Sequence, residues 1–202
     1  MTLTALALNC TLKSGRQKSS TQKLLDEILK ALAKYKVTGE TVRVVDFNVK
    51  PGVTSDEGAG DDWPALRKRI LEADIVVLGT PIWLGQPSSV AKRVLERMDA
   101  FLEEKDDQNR LPPFGKVAVV GVVGNEDGAH HCHAELYQAL NDLGFTIPAA
   151  GSTYWVGEAM GSTDYKDLRK PYDKTEQATA MLAANAAHLA GLLKKTTYPG
   201  AS

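Results

Sequence analysis

Cysteine is scarce in this chain of 202 residues: Cys10 and Cys132 are the only two. They cannot form the dense disulfide framework of a small secreted fold, so stability must come from a packed core. An excess of charge of one sign is also missing. Lys and Arg number 24 against 25 Asp and Glu, for a net charge of −1. No global field is therefore available to hold nucleic acid or an anionic membrane. No apolar run approaches the about 20 residues of a membrane span; Val117–Val123 is among the longest. Nothing resembles a secretory signal. Together these absences predict a cytoplasmic protein with neither a nucleic-acid nor a membrane partner. No Gly-x-Gly-x-x-Gly opens a dinucleotide-binding half, and no Gly-x-Ser-x-Gly elbow presents a nucleophile.

What remains is an ordinary globular composition, 43% hydrophobic and 24% charged, at a length that fits one domain. Four apolar runs read as strands: Leu3–Leu8, Val42–Phe47, Ile75–Leu78 and Val117–Val123, with Phe145–Ala149 a weaker fifth. The third and fourth have almost no polar interruption, as strands covered on both faces do. Helical spacing lies between them. Leu24, Leu25, Ile28, Leu29 and Leu32 form one stripe, Val90, Val94, Leu95, Met98 and Phe101 a second, and Leu136, Leu140 and Leu143 a third that Gly144 closes. A last helix is expected from about Pro171 to Lys195, with an Ala-rich face (Ala178, Ala183, Ala186, Ala187, Ala190) suited to close packing. Strand starts near residues 3, 41, 74, 116 and 146 are 30 to 42 residues apart, the length of βαβ units. Five strands alternating with five helices predict an α/β fold with an open parallel sheet covered on both faces. Asn48–Asp62, Asp106–Gly115 and Tyr154–Lys170 are expected to be irregular.

Ligands of such sheets sit beyond the carboxyl ends of the strands, and the unusual sequence falls there. After the first strand, Lys13, Arg16, Lys18 and Lys23 accompany Thr11, Ser14, Ser19, Ser20 and Thr21, with no acid among residues 1–25. Hydroxyls, backbone N–H groups and a helix N-terminus make an anion site. Ser19 or Ser20 also serves a plain helix cap, and basic side chains are stable in solvent. After the third strand comes Gly79-Thr80-Pro81-Ile82-Trp83-Leu84-Gly85-Gln86-Pro87-Ser88-Ser89, an apolar and aromatic stretch that suits a flat ring better than a charged ligand. Core or interface packing is the simpler role for Ile82 and Trp83. Ser88 or Ser89 caps the following helix. After the fourth strand, Gly124-Asn125-Glu126-Asp127-Gly128 allows close backbone approach to a ligand. His130, His131, Cys132 and His133 follow, but contiguous helical residues point about 100° apart, so they do not form a metal site. No side-chain nucleophile or acid–base dyad is evident, so no catalytic residue is assigned.

These three segments, Asn9–Lys13 with Ser19–Thr21, Thr80–Gln86 continuing through Ser88, Lys92 and Arg97, and Gly124–His131, resemble the flavodoxin-fold NAD(P)H-dependent FMN reductases, a family that includes quinone and azo reductases. The resemblance implies a flavodoxin-like three-layer sandwich with strand order 2-1-3-4-5, residues 1–202 forming one FMN-binding domain. It implies that Thr11, Lys13, Ser19, Ser20 and Thr21 hold the phosphate of non-covalent FMN. Pro81, Ile82, Trp83, Leu84 and Gly85 would line the ring edge, and Gly124, Asn125, Glu126, Asp127 and Gly128 would pack from the other side. The segment Tyr154-Trp155-Val156-Gly157 also fits family members, with an aromatic near the flavin or a partner subunit. The implied activity is hydride transfer from NAD(P)H through the flavin to a small acceptor such as a quinone, free flavin or azo compound, in a homodimer or homotetramer. The first loop departs from the common short form, since Ser14–Lys18 lengthens it. Two other functions remain open from sequence: a flavodoxin-type electron carrier, disfavoured by the near-neutral charge, and a scaffold that has lost the flavin.

Overall fold

A computed structural model describes residues 2–170 and 172–200. Its strands are β1 Leu3–Asn9, β2 Val37–Arg43, β3 Ile75–Trp83, β4 Gln86–Pro87, β5 Val117–Gly124 and β6 Ser152–Val156. Its α-helices are α1 Ser20–Ala33, α2 Trp63–Glu72, α3 Ser89–Met98, α4 Ala129–Asp142 and α5 Asp173–Leu193. The main sheet runs β2-β1-β3-β5-β6 with every pairing parallel. β4 stands apart as the short antiparallel return of β3. Without it the order is the expected 2-1-3-4-5, a flavodoxin-like three-layer α/β fold.

Alternation along the strands builds the layers. Ala5, Ala7, Ile75, Val77, Val117 and Val119 share a core with α1 and α5. Leu6, Leu8, Val76, Leu78, Ala118 and Val120 share the other with α2, α3 and α4. The Ala-rich face of α5 is buried at Ala183, Ala186, Ala187 and Ala190, as its small side chains permit. Gly79 lets α1 lie close to the sheet, because a Cβ there would fall 2.8 Å from Leu25 Cδ2.

Three elements differ from the sequence expectation. The second strand is Val37–Arg43 rather than Val42–Phe47, and Val44–Asp46 is a 3₁₀ turn. This is an edge strand with one solvated face, so its sequence, VTGETVR, carries little apolar signal. The apolar run instead supplies Val44 and Phe47 to the core on the α2, α3 and α4 side. The fifth parallel strand is Ser152–Val156, not Phe145–Ala149. Thr146 makes only an isolated bridge with Val117; Phe145 is buried in the core, and Pro148 has no N–H with which to continue a ladder. α3 stops at Met98, and Phe101 is buried from the 3₁₀ turn Asp99–Leu102 that follows. Pro171, the expected first residue of the last helix, lies outside the described residues.

The irregular segment after β2 has a buried ionic anchor. Arg97 and Asp61 pair at 2.8 Å with both side chains fully buried. Arg97 also donates to Lys50 O and Thr54 O. Asp61 accepts from the N–H groups of Lys50, Glu57 and Trp63. Burial pushes the Asp61 carboxyl up, but the guanidinium and these N–H groups overcome it and hold the group well below the usual carboxylate range.

Candidate active site

The carboxyl ends of β1, β3, β5 and β6 surround a cleft of ≈ 490 Å³, within the range of about 300–1,000 Å³ typical of small-molecule sites. Its first wall is the turn from β1 into α1. Asn9, at the strand end, donates to Gln22 Oε1 at 2.8 Å and accepts from Thr11 N at 3.1 Å. Thr11 Oγ1 accepts from Lys13 N. Ser19 is the helix cap, its side chain accepting from Gln22 N. The early N–H groups of α1, those of Ser20 and Thr21 among them, have no acceptor within the helix, and no acid stands in the first turn. The lengthened part of the loop is folded away. Arg43 donates to Lys13 O, Gly15 O and Gln17 O, and Gly15 N donates to Asp46 Oδ1. Arg43 carries no motif, and only the fold reveals its role.

The second wall is the tip of β3. Ile82 pairs with Pro87 and Trp83 with Gln86, leaving a two-residue turn at Leu84 (φ 52°) and Gly85 (φ 74°). Two positive φ values match the hairpin twist, but a leucine in that conformation is strained. Its side chain is 91% exposed. Ser88 caps α3, accepting from Ala91 N, and donates to Cys10 O at 2.6 Å. The same hydroxyl therefore ties the second wall to the first.

The third wall follows β5. Glu126 Oε1 accepts from Leu84 N at 3.1 Å. Asn125 holds a fourth segment: its carbonyl accepts from Met160 N, and its amide donates to Asp164 Oδ1 at 3.0 Å. Met160, also at positive φ (63°), is 96% exposed at the cleft. Hydrogen bonding by Lys166 holds the Asp164 carboxyl below its ordinary range, with the Lys13 charge adding to the effect. Tyr165 lies against Trp155, ring centroids 5.4 Å apart, and its hydroxyl donates to Glu27.

Of the residues singled out from sequence, Thr11, Lys13, Ser19, Ser20, Thr21, Pro81, Ile82, Trp83, Leu84, Gly124, Asn125 and Glu126 line this one cleft. Gly85, Asp127 and Gly128 are not in its lining. Gly85 and Gly128 instead meet where the second and third walls cross. Among lining residues the sequence did not single out are Met160, Asp164 and Tyr165. The unusual length of Tyr154–Lys170 was the available signal, without identifying individual positions. The histidines look elsewhere. His131 Nε2 lies 2.9 Å from Gln86 Nε2 and 2.6 Å from Glu135 Oε1, while the rings of His130 and His133 pack on Tyr154.

The cleft thus sets a hydroxyl-rich helix start beside an apolar wall at the carboxyl edge of a doubly covered parallel sheet. The chain belongs to the NADPH-dependent FMN reductase family, whose model matches residues 4–161, and so to the flavin-related oxidoreductases. It is 35% identical over 208 residues to 8-demethyl-8-aminoriboflavin-5′-phosphate synthase of Streptomyces davaonensis, covering 98% of this chain and 81% of that protein. The crystal structure of RosB with bound intermediate 8-demethyl-8-formylriboflavin-5′-phosphate superposes with a TM-score of 0.88 at 33% identity, covering 97% of this chain and 82% of that one. The chain is also 36% identical over 199 residues to a divalent metal cation transporter of Mycobacterium bovis. That match takes in 95% of this chain but spans only 29% of the transporter's length. No helix among the described residues is long and apolar enough to cross a membrane.

Proposed function

We propose that residues 1–202 form one FMN-binding domain and that this cleft holds FMN non-covalently for transfer of hydride from NAD(P)H to a small acceptor, a quinone, free flavin or azo compound. The observation that carries this reading is the cleft's division of chemistry. Its α1 end combines Lys13 with the hydroxyls of Thr11, Ser20 and Thr21 and with the positive end of the helix dipole, a donor set suited to a phosphate dianion. Its other end, lined by Pro81, Ile82, Trp83, Val123, Gly124 and Trp155, is apolar and suits a flat ring. The cleft's acids have local partners: Leu84 N for Glu126, and Lys166 with Asn125 for Asp164. They therefore oppose an anion less than bare carboxylates would. Gly85 and Gly128 act as the frame that sets the distance between the two ring-side walls, and Asp127 lies in the loop that they fix.

A bound flavin supplies the two-electron chemistry, with the protein contributing orientation and electrostatics. In this account α1 and Lys13 anchor the phosphate, the 81–84 hairpin covers one edge of the ring, and the 124–126 loop backs it. The Asn125 bonds to Met160 and Asp164 keep the fourth segment over the mouth of the cleft. Proton delivery needs no side chain from this chain when solvent reaches that mouth, which agrees with the lack of a dyad. Adding NADPH anaerobically to the FMN-loaded protein is expected to bleach the flavin absorbance, with recovery on adding a quinone. FMN that stays oxidised under NADPH contradicts the reductase activity.

A second reading makes the flavin phosphate the substrate instead of a resident cofactor. The specific support is the similarity, at 33–35% identity, to a synthase and a structure whose printed names concern modified riboflavin phosphates. Mass analysis of flavin recovered after incubation separates the two readings: unchanged FMN supports the reductase, and an altered ring supports the synthase-like role.

A further inference from the structure

Residues 164–168 form a strap across the cleft, just past residue 161 where the family model's match ends. The 3₁₀ turn Tyr165–Asp167 is its centre, and Asp164 and Tyr165 line the cleft from it. On one side α1 holds the strap through three residues. Lys166 N donates to Ser20 Oγ at 3.2 Å. Lys23 Nζ donates to Tyr165 O and to Leu168 O, each at 3.0 Å, and the Tyr165 hydroxyl donates to Glu27. Spacings of three and four residues put Ser20, Lys23 and Glu27 in one row along the helix. On the other side, Asn125 Nδ2 donates to Asp164 Oδ1 at 3.0 Å. The strap therefore joins the α1 wall to the loop after β5.

We propose that this strap reads the flavin's phosphate: its closure on α1 and phosphate binding there favour each other, with Lys23, Glu27 and Tyr165 as positioning residues. The proposal rests on the phosphate placement given under the proposed function. Ser20 is the point of coupling. It lines the cleft, and its oxygen accepts from the strap's Lys166 N, so its one proton is what it offers a ligand oxygen. A phosphate oxygen that takes this proton fixes the hydroxyl with a lone pair toward Lys166 and strengthens it as an acceptor. Riboflavin, having no phosphate, leaves that rotor free. Tyr165 carries the grip of α1 into the cleft. Its side chain is 1% exposed, with the Lys23 ammonium 4.9 Å from the ring centroid. Lys23 and Glu27 are outside the cleft lining, and their contacts run to the strap, so their effect on the ligand passes through it. Such coupling is reciprocal: the factor by which closure raises FMN affinity is the factor by which FMN favours closure.

The test is hydrogen exchange of the whole protein, without ligand and saturated with FMN or with riboflavin. Amides of residues 164–168 are expected to slow about ten-fold with FMN and less than about two-fold with riboflavin, within the usual range of coupling between two sites. Tyr165→Phe keeps the ring but removes the hydroxyl that reaches Glu27. It is expected to lower FMN affinity by up to about ten-fold and riboflavin affinity by less than about two-fold, as reciprocity requires. Glu27→Ala breaks the same bond from the α1 side and gives the same comparison if Tyr165→Phe does not fold. Equal slowing by the two flavins makes the strap a structural element only and overturns the proposal. So does a variant that loses the same factor for both flavins, or for neither. Failure of wild type to bind FMN overturns the proposed function itself.

Discussion

Gly85 and Gly128 meet backbone against backbone: a Cβ built on Gly128 would lie 2.7 Å from Gly85 Cα and 2.8 Å from its carbonyl oxygen. Gly128 also sits at φ 124° as the cap of α4, a conformation L side chains avoid. The β3 hairpin and the loop after β5 can therefore cross only with glycine at this contact. Gly128→Ala is expected to cost roughly 1–3 kcal/mol in stability from backbone strain and to weaken FMN binding further by spreading the two walls. Thermal melts of the apo and FMN-loaded variant measure both effects.

The proposed phosphate anchor predicts that Lys13→Ala/Ser20→Ala weakens FMN binding at least several-fold, through loss of a charge-assisted contact and a hydroxyl. Ser20 Oγ also accepts from Lys166 N, so the 165–168 segment should loosen as well. Unchanged FMN affinity in the folded double variant would reject the assignment.

The buried Arg97–Asp61 pair predicts a stability defect at a distance from the cleft. Arg97→Ala leaves the Asp61 carboxylate buried without its countercharge, a change worth about 3–5 kcal/mol. The pH dependence has a definite sign. Because the folded-state pKa of Asp61 is depressed, its stabilisation is present above the unfolded value near about 3.9 and disappears as pH falls through the lower folded value. Asp61→Asn should therefore be markedly less stable at neutral pH, with the gap to wild type narrowing in acid. Chemical denaturation at neutral pH and near pH 3 checks this.

His133 predicts a second loss of stability in acid, from burial of a neutral ring rather than from a buried ion pair. Its ring is buried between Tyr137 and Tyr154, with Nε2 lacking a hydrogen-bond partner among the described residues. Burial first, then the neighbouring His130, lowers its pKa to about 4. The unfolded chain consequently binds a proton that the folded chain refuses between the unfolded value of about 6.5 and the folded value. Stability should fall as pH drops through that window. His133→Phe should flatten the slope by up to one proton, measured from unfolding free energies at several pH values.

How far the sequence reached depended on what each segment packs against. Ile75–Leu78 and Val117–Val123 are covered on both faces, so continuous apolar residues announced them. Val37–Arg43 and Ser152–Val156 lie at the sheet's edges, where Thr, Glu, Ser and Tyr are acceptable, and apolar runs nearby attracted the assignment instead. The three loops of the cleft were legible because hydroxyls, aromatics and glycines stand just after strands. Met160, Asp164 and Tyr165 were not, since their places are set by hydrogen bonds to Asn125 and Glu27, which join positions far apart in the chain. Arg43 was hidden for the same reason, being defined by the backbone carbonyls it gathers, while Arg97 was named from the sequence without its buried partner Asp61.

The proposed phosphate site at the α1 end of the cleft, with the flavin ring against the 81–84 hairpin, is tested by comparing two flavins that differ only in the phosphate. The most direct measurement is parallel titration of the apo protein with FMN and with riboflavin, followed by flavin fluorescence. Quenching by both is expected, with FMN bound at least about ten-fold more tightly, since a paired phosphate contributes hydrogen bonds to charged groups. Equal affinity for the two flavins, or fluorescence that neither ligand loses, would contradict it.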